Sequence, residues 1–422
     1  METHLADWLK GTSHGNEAEA ILRSCVHCGF CTATCPTYQL LGDELDGPRG
    51  RIYLMKQVME GAEPSMSTMT HLDRCLTCLN CETTCPSGVR YGRLVDIGRG
   101  IVESKVRRPL AQRMLRQALK EGLTRRWLFD PAMRIGKRMR GLLPGALRSK
   151  VPPRRDPGAW PARTHERKVL LLNGCVQPAM MPNIDAATAR VLDRLGVQAI
   201  VDRSSGCCGA IRHHLNDHDG ALADARRNID AWWPRLQSGV EAIVINASGC
   251  GAMVKSYGQL LREDPAYAAK AAAVSKATVD IAEWLPSRIE ALKPRLRSPA
   301  ANAPRVAFHA PCTLQHGQQV RGMVERLLAD LGVALTPVPD SHLCCGSAGT
   351  YSVLQPELAF PLRDRKLSAL QSGAPQRILS ANIGCITHLQ SGTETPVQHW
   401  IEWLDEATNR APAGANSDRA AT

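Results

Sequence analysis

In the first hundred residues, apolar positions recur three and four residues apart, which is the spacing of a helix face. A helix is predicted over Arg49–Glu60, because Pro48 stands at its start and Gly61 follows its end. Its apolar face consists of Ile52, Met55, Val58 and Met59. Residues Tyr91 to Lys105 continue in the same helical pattern. The amino-terminal region is therefore expected to be all-helical.

The next segment predicts two amphipathic helices. The first has apolar positions at Val106, Leu110, Met114, Leu119 and Leu123. The second is expected to begin at Asp130, with Pro131 in its first turn. Its apolar positions are Met133, Ile135, Met139 and Leu142.

Residues 151–160 are rich in proline, glycine and charge, which predicts a linker. Beyond it, short apolar runs alternate with helical stretches, and the series occurs twice. The first strands are expected at Lys168–Leu172 and Arg305–Phe308, and later strands at Ala242–Ile245 and Ile378–Leu379. Such alternation is typical of parallel α/β sheets, whose strand ends carry the functional loops.

The cysteines reveal that this part of the chain is duplicated. Four cysteines in one half recur in the other at offsets of 137, 137, 137 and 135 residues. The first set is Cys175, Cys207, Cys208 and Cys250, and the second is Cys312, Cys344, Cys345 and Cys385. Each adjacent pair is followed by glycine.

Charge is concentrated in one segment. The chain of 422 residues has a net charge of +12, and residues 105–150 contain fourteen basic residues and only two acidic ones. The remainder, with 38 residues of each sign, is neutral. A basic amphipathic helix pair fits an anionic lipid surface or an acidic partner, or it is a solvated pair packed on its own domain. No nucleic-acid recognition motif accompanies the charge, so nucleic acid is not expected as a partner.

Two cysteine runs with identical spacing carry the strongest chemical signal. Both read C-x2-C-x2-C-x3-C-P, and they begin at Cys25 and Cys75. Three thiolates in one tight loop hold three irons of a [4Fe-4S] cluster, and the fourth cysteine ligates the neighbouring cluster. One cluster is therefore assigned to Cys25, Cys28, Cys31 and Cys85, and the other to Cys75, Cys78, Cys81 and Cys35.

Structural zinc and disulfides explain these runs less well. A structural zinc site would take a C-x2-C pair of cysteines from each run, which leaves the third and fourth cysteines of each run without a role. Disulfides need an oxidising compartment, whereas the amino terminus has no signal-peptide pattern and no segment is apolar enough to span a bilayer. We expect a protein that is cytoplasmic, or peripheral on the cytoplasmic face of the inner membrane.

These patterns together predict an α+β multidomain protein. An α-helical ferredoxin domain with two clusters is expected at residues 1–104, and a basic helical segment with a linker at 105–165. Two cysteine-rich α/β repeats follow at 166–300 and 301–410, and a flexible tail at 411–422. The eight repeat cysteines, at 175, 207, 208, 250, 312, 344, 345 and 385, are candidate ligands for a further cluster or zinc, and vicinal thiols also suit disulfide exchange.

The chain as a whole resembles a known family of iron–sulfur subunits. The resemblance rests on the two ferredoxin motifs, on Cys207-Cys208-Gly209 and Cys344-Cys345-Gly346, and on the segments 42–51, 228–233 and 340–351. The family includes subunits of glycolate oxidase, anaerobic glycerol-3-phosphate dehydrogenase and heterodisulfide reductase, and the likeness is greatest to those of bacterial glycolate oxidase. The fuller family pattern closes each repeat with C-x2-C, whereas Met253 and His388 stand at the closing positions here.

The resemblance implies an electron-transfer subunit without a catalytic centre of its own. A separate FAD subunit would oxidise glycolate to glyoxylate, and this chain would pass the electrons toward membrane quinone. Two alternatives stay open: a subunit of a lactate or anaerobic glycerol-3-phosphate dehydrogenase, or a thiol–disulfide enzyme that uses its cysteine-rich repeats. The sequence contains no dinucleotide-binding glycine motif, which agrees with FAD on a partner chain.

Overall fold

The computed structural model describes residues 1–296 and 304–409. The predicted tail at 411–422 lies outside these ranges. The chain forms two compact units. The first comprises residues 1–121, 211–218 and 342–366, and the second comprises the remaining residues. The predicted domain boundaries follow the sequence repeats instead, and they stay a prediction.

The amino-terminal region is built of helices joined by short loops, as predicted. The helices are α1 (Ser13–Ser24), α2 (Phe30–Ala33), α3 (Pro36–Leu41), α4 (Pro48–Met59), α5 (Met66–Asp73), α6 (Asn80–Thr84) and α7 (Tyr91–Lys105). A single turn of 3-10 helix at Glu44–Asp46 precedes α4. The predicted helices at 49–60 and 91–105 correspond to α4 and α7.

Local signals explain where these helices begin. Proline occupies the first turn of both α3 and α4, where its missing N–H leaves no hydrogen bond unmade. The Ser65 side chain accepts a hydrogen bond from the backbone N–H of Thr68 and so caps α5. Leu22, Met55, Met59 and Leu94 are wholly buried between the helices and form the centre of this core.

The basic segment forms helices whose apolar side chains are largely exposed. They are α8 (Leu110–Thr124), α9 (Arg126–Arg138), a 3-10 turn at Arg140–Leu142, and α10 (Gly145–Arg148). The prediction that the second helix begins at Asp130 is wrong: α9 begins at Arg126, and Pro131 lies inside it. Pro131 is the sixth residue of α9, beyond the first four backbone N–H groups that a helix leaves unpaired, so α9 lacks one internal hydrogen bond at this position. Residues 152–165 contain neither helix nor strand.

The first repeat contains a four-stranded parallel sheet in the order β2-β1-β3-β4. Its strands are β1 (Arg167–Leu171), β2 (Val197–Ile200), β3 (Ile243–Ile245) and β4 (Thr278–Asp280). Its helices are α11 (Gln177–Met180), α12 (Pro182–Arg194), α13 (Ala210–His214), α14 (His218–Gln237), α15 (Ser248–Lys255), α16 (Tyr257–Leu260), α17 (Ala268–Ala277) and α18 (Ile281–Trp284), with a 3-10 helix at Pro286–Arg295. In register, Leu170 lies opposite Ile200 and Ile243.

The second repeat contains a three-stranded parallel sheet in the order β5-β6-β7. Its strands are β5 (Val306–His309), β6 (Arg377–Ser380) and β7 (Val397–His399). Its helices are α19 (Met323–Asp330), α20 (Tyr351–Leu354), α21 (Pro356–Gln371), α22 (Ile383–Gln390) and α23 (Trp400–Ala407), with a π-helical turn at Thr313–Gly317. In the position of β2, this repeat has only an isolated bridge between Val306 and Leu335.

The glycine after each vicinal cysteine pair is required by the backbone. Gly209 has φ +90° and Gly346 has φ +83°, a region that side-chain-bearing residues rarely adopt. A Cβ on Gly209 would stand 2.9 Å from the carbonyl oxygen of Ala221, and one on Gly346 would stand 2.6 Å from that of Ala359. The glycine therefore lets the loop that carries the cysteines lie directly against a helix.

Candidate metal centres

The two ferredoxin loops have the same backbone course. Each follows a helix, α1 or α5, and each turns into a short helix, α2 or α6, after two residues with left-handed φ. In the first loop these are His27 (φ 56°) and Gly29 (φ 86°), and in the second they are Thr77 (φ 50°) and Leu79 (φ 61°). Three of these four have side chains, so the loops adopt a conformation that costs free energy and is typical of functional sites.

The first loop surrounds a cavity that also takes in a cysteine from the second motif. Its lining includes Cys25, Cys28, Cys31 and Cys85, together with Cys81. Cys28 is exposed, whereas Cys25 is buried. Burial, together with the nearby thiols of Cys25, Cys85 and Cys28, raises the pKa of Cys31 to about 11. The thiols are thus close enough to oppose one another's ionisation.

The second loop surrounds a cavity with the reciprocal composition. It is lined by Cys75, Cys78, Cys81 and Cys35, all of them buried. Burial, with the thiols of Cys78, Cys75 and Cys35, raises the pKa of Cys81 well above its usual value. The structure therefore brings the fourth cysteine of each motif to the loop of the other motif. Four thiols around one cavity are the donor set of a [4Fe-4S] cluster, so both sites fit the group that their spacing predicts.

Positive charge and hydrogen-bond donors surround the second site. The Tyr91 hydroxyl lies 3.6 Å from Cys75 Sγ, and the Thr37 hydroxyl lies 3.3 Å from Cys35 Sγ. The guanidinium of Arg51 is buried at the edge of the same cavity. Burial by itself would raise the pKa of Cys75, but the positive charges of Arg51 and Arg99, together with hydrogen bonds from the Thr77 backbone and the Tyr91 hydroxyl, lower that pKa below its usual value.

The four cysteines of the first repeat lie together. Cys175 is linked by a hydrogen bond to Cys207, Cys207 to Cys208, and Cys208 to Cys250. The hydrogen bond to Cys207, together with burial, raises the pKa of Cys175 well above that of a free thiol. Thiols that neighbour one another in such a series are candidate ligands for zinc or for an iron–sulfur cluster.

The cysteines of the second repeat are divided between the two compact units. Cys312 and Cys385 belong to the second unit, whereas Cys344 and Cys345 belong to the first. The pair repeats the local turn of the first half: the backbone N–H of Gly346 lies 3.4 Å from Cys344 Sγ, and that of Gly209 lies 3.4 Å from Cys207 Sγ. Cys385 lies in α22, where its Sγ is 3.6 Å from the side-chain amide nitrogen of Asn382.

Comparison with known proteins agrees with both parts of the chain. Residues 21–89 match the family described as 4Fe-4S dicluster domain, and residues 169–255 and 306–390 each match the one described as Cysteine-rich domain. The glycolate oxidase iron-sulfur subunit of Escherichia coli (strain K12) is 54% identical over 97% of this chain and 100% of its own length. A probable glycolate oxidase iron-sulfur subunit of Bacillus subtilis (strain 168) is 30% identical over 89% of this chain and 90% of its own length.

The chain belongs to the family of glycolate oxidase iron–sulfur subunits. It is thus an iron–sulfur electron-transfer subunit of an oxidoreductase complex, which implies a catalytic partner subunit. A more distant relative, the Lactate utilization protein A of an Exiguobacterium species, is 26% identical over 58% of this chain and 99% of its own length. The resemblance and the fold class that the sequence predicted are confirmed.

The surface of the basic segment combines exposed apolar and basic side chains. On α9, the side chains of Trp127 and Ile135 are 71% and 60% exposed, and beyond it Leu142 is 80% exposed. Arg134 and Arg138 are exposed on the same helix. The opposite face is anchored by Met133, which is buried, and by Lys137, whose ammonium donates to the carbonyl groups of Ala179 and Met180.

Sequence reasoning missed the polar residues around the second cysteine site. Arg51 is one of two arginines near the start of the predicted helix at 49–60 and is not part of its apolar face, and Tyr91 stands at the start of the predicted helix at 91–105. Their spacing gives no sign that both reach the same cavity. The one signal was local: the motif Gly47-Pro48-Arg49-Gly50-Arg51 contributes to the family resemblance and has no role in helix periodicity.

Proposed function

We propose that this chain carries electrons from an FAD-binding subunit, which oxidises glycolate to glyoxylate, toward quinone in the membrane. The observation that carries the proposal is the pair of cavities in a chain of this family: Cys25, Cys28, Cys31, Cys81 and Cys85 line the first, and Cys35, Cys75, Cys78 and Cys81 line the second. When bound there, [4Fe-4S] clusters accept and donate single electrons. Lactate is the second candidate substrate, because a relative named for lactate utilization matches more than half of the chain.

We propose the crossed ligand assignment for the two clusters. Cys25, Cys28, Cys31 and Cys85 hold the first, and Cys75, Cys78, Cys81 and Cys35 hold the second. The lining of the two cavities supports it, since each includes three cysteines from one motif and the last cysteine of the other.

A further centre in the first repeat is a separate proposal. The hydrogen-bonded series Cys175, Cys207, Cys208 and Cys250 binds a metal, either zinc or an additional iron–sulfur cluster. The second-repeat cysteines Cys312, Cys344, Cys345 and Cys385 are proposed as ligands only by analogy with the first repeat.

The basic segment is proposed to attach the complex to the cytoplasmic face of the inner membrane. The outer face of α9 combines exposed Trp127 and Ile135 with exposed Arg134 and Arg138, which is the composition of a helix that lies in a lipid interface. No helix in the two described ranges is long and apolar enough to cross a bilayer, so the attachment proposed is peripheral.

The crossed assignment predicts which substitutions share a phenotype. Cys35→Ser should remove the same cluster signal as Cys78→Ser, and Cys85→Ser should remove the same signal as Cys28→Ser. The measurement is electron paramagnetic resonance of the reduced protein, prepared anaerobically, with iron analysis of each variant. A Cys35→Ser spectrum that matches Cys28→Ser instead would mean that each motif fills its own site.

Metal analysis tests the first-repeat centre. Two cubane clusters account for about eight irons per chain. We expect metal beyond those irons, and we expect Cys207→Ser to remove it while both cubane signals persist. Ser204→Ala, on an exposed neighbour of the same loop, is the control and should retain it. Unmodified protein with about eight irons and no other metal would refute the proposed centre and leave the two clusters unaffected.

Vesicle binding tests the membrane surface. Arg134→Gln with Arg138→Gln should weaken binding to anionic vesicles by about thirtyfold, because each basic residue near such a surface contributes about 1 kcal/mol. Arg262→Gln with Lys276→Gln removes the same charge from other exposed positions and should have little effect. The measurement is co-sedimentation at several salt concentrations. Equal weakening by the two double variants would leave only a non-specific charge effect.

Activity measurements test whether the partner subunit, and not this chain, oxidises the substrate. Oxidation of a 2-hydroxy acid removes a hydride, which iron–sulfur clusters do not accept. The isolated chain should therefore not reduce an artificial dye with glycolate or lactate, and addition of the flavoprotein partner should restore activity with one of the two acids. Turnover by the chain alone, with flavin shown to be absent, would move the active site into this chain. The acid that is oxidised faster identifies the substrate.

A further inference from the structure

The two proposed cluster sites differ in their exposure to solvent. In the first loop, Val26 and Phe30 flank the exposed Cys28 and are themselves 68% and 63% exposed. In the second site, all four cysteines are buried, with exposed fractions between 7% and 9%. Charges near the second site are therefore screened much less by water than charges near the first.

Arg51 is the buried cation that lines the second site. It is 1% exposed and lines the cavity of Cys35 and Cys75. Its Nε donates to the carbonyl oxygen of His71 at 2.7 Å, and one terminal nitrogen donates to the Thr37 hydroxyl at 3.2 Å. Because a guanidinium stays protonated in proteins, this buried group is a permanent cation.

The carboxylate beside Arg51 does not cancel the positive charge of this region. Asp46 Oδ1 lies 3.3 Å from Arg51, but Asp46 also pairs with Arg74 at 2.9 Å. One buried carboxylate thus serves two guanidinium groups. A further cation, Arg99, is buried nearby and donates to the carbonyl oxygens of Leu72 and Cys75.

We propose that Arg51 raises the reduction potential of the cluster held by Cys35, Cys75, Cys78 and Cys81, so that the buried cluster is the higher-potential one of the pair. Reduction adds one negative charge to the cluster, and burial of the cluster disfavours that charge. A buried cation in contact with the site stabilises the added charge more than it stabilises the oxidised form, and in this proposal its effect exceeds that of burial. An electron delivered to this domain then resides preferentially on the buried cluster. The inference rests on the proposed ligand assignment.

Arg51 also has a structural role, which the experiment has to distinguish from its electrostatic effect. Its hydrogen bonds join α4 to Thr37 and to the carbonyl of His71, so its loss affects packing as well as charge. Lysine in its place retains the positive charge but not the planar set of donors. A variant series at this position therefore distinguishes charge from geometry.

The matched comparison is Arg49, which lies two residues away and lines the first cavity. Its side chain is 40% exposed and pairs with Glu44 at 2.7 Å. Removing its charge changes the net charge of the domain by the same amount as removing that of Arg51. Solvent and the neighbouring carboxylate screen it, so its effect on the first cluster should be small.

The experiment is a redox titration of the anaerobic protein, in which electron paramagnetic resonance follows each cluster. The two signals are assigned by the Cys78→Ser and Cys28→Ser variants. Arg51→Gln should lower the reduced-to-oxidised ratio of the buried cluster at least tenfold at fixed potential, which for one electron is 59 mV. Arg51→Lys should recover most of that ratio, and Arg49→Gln should change the ratio of the first cluster less than threefold.

Three outcomes would overturn the inference. They are an unchanged potential in a fully loaded Arg51→Gln protein, an equal shift of both clusters, or a buried cluster that is the lower-potential one in unmodified protein. If Arg51→Gln fails to load iron, Arg99→Gln is the second variant, and it should shift the same cluster in the same direction. Unmodified protein that lacks two cubane signals would instead refute the proposed function itself.

Discussion

Each cysteine loop of the helical domain is one thiol short of a four-ligand site unless the last cysteine of the other loop reaches it. The chain meets this constraint with two short helices, α2 and α6, which pack against each other and carry Cys35 and Cys85 away from their own loops. Proline follows both cysteines and begins α3 after Cys35, so the chain turns outward at that point. The loops, although forty residues apart along the chain, therefore form one unit.

The helical domain that holds the cysteine loops also buries charged side chains. Arg51, Asp46 and Arg99 are nearly inaccessible to water, and a buried ion is costly unless its hydrogen bonds are made. Arg51 and Arg99 make theirs largely to backbone carbonyl groups and a hydroxyl, which leaves much of their charge uncancelled. The free energy of burying these cations is offset only in part by Asp46, and anionic clusters in the adjacent sites would complete the compensation.

In the cysteine-rich repeats, a local backbone turn positions the vicinal cysteines. This glycine turn lies against a helix, and both halves have it. The sheets around them have diverged, since β2 of the first half corresponds to a single bridge in the second. Conservation of the turn with loss of the strand agrees with a requirement for the thiols rather than for the sheet.

Much of the fold could be predicted from the sequence because its signals are local. Proline at the start and a regular apolar face specify α4, and cysteine spacing specifies which thiols share a loop. Local signals were insufficient at Pro131, where a proline suited to a first turn lies inside α9, and at β4 and β7, which no predicted strand matches. The sequence by itself determined the two cluster motifs, the duplication and the family. Only the tertiary structure decided that Arg51 and Tyr91 reach the same cavity, because burial depends on contacts between segments that are distant in the chain.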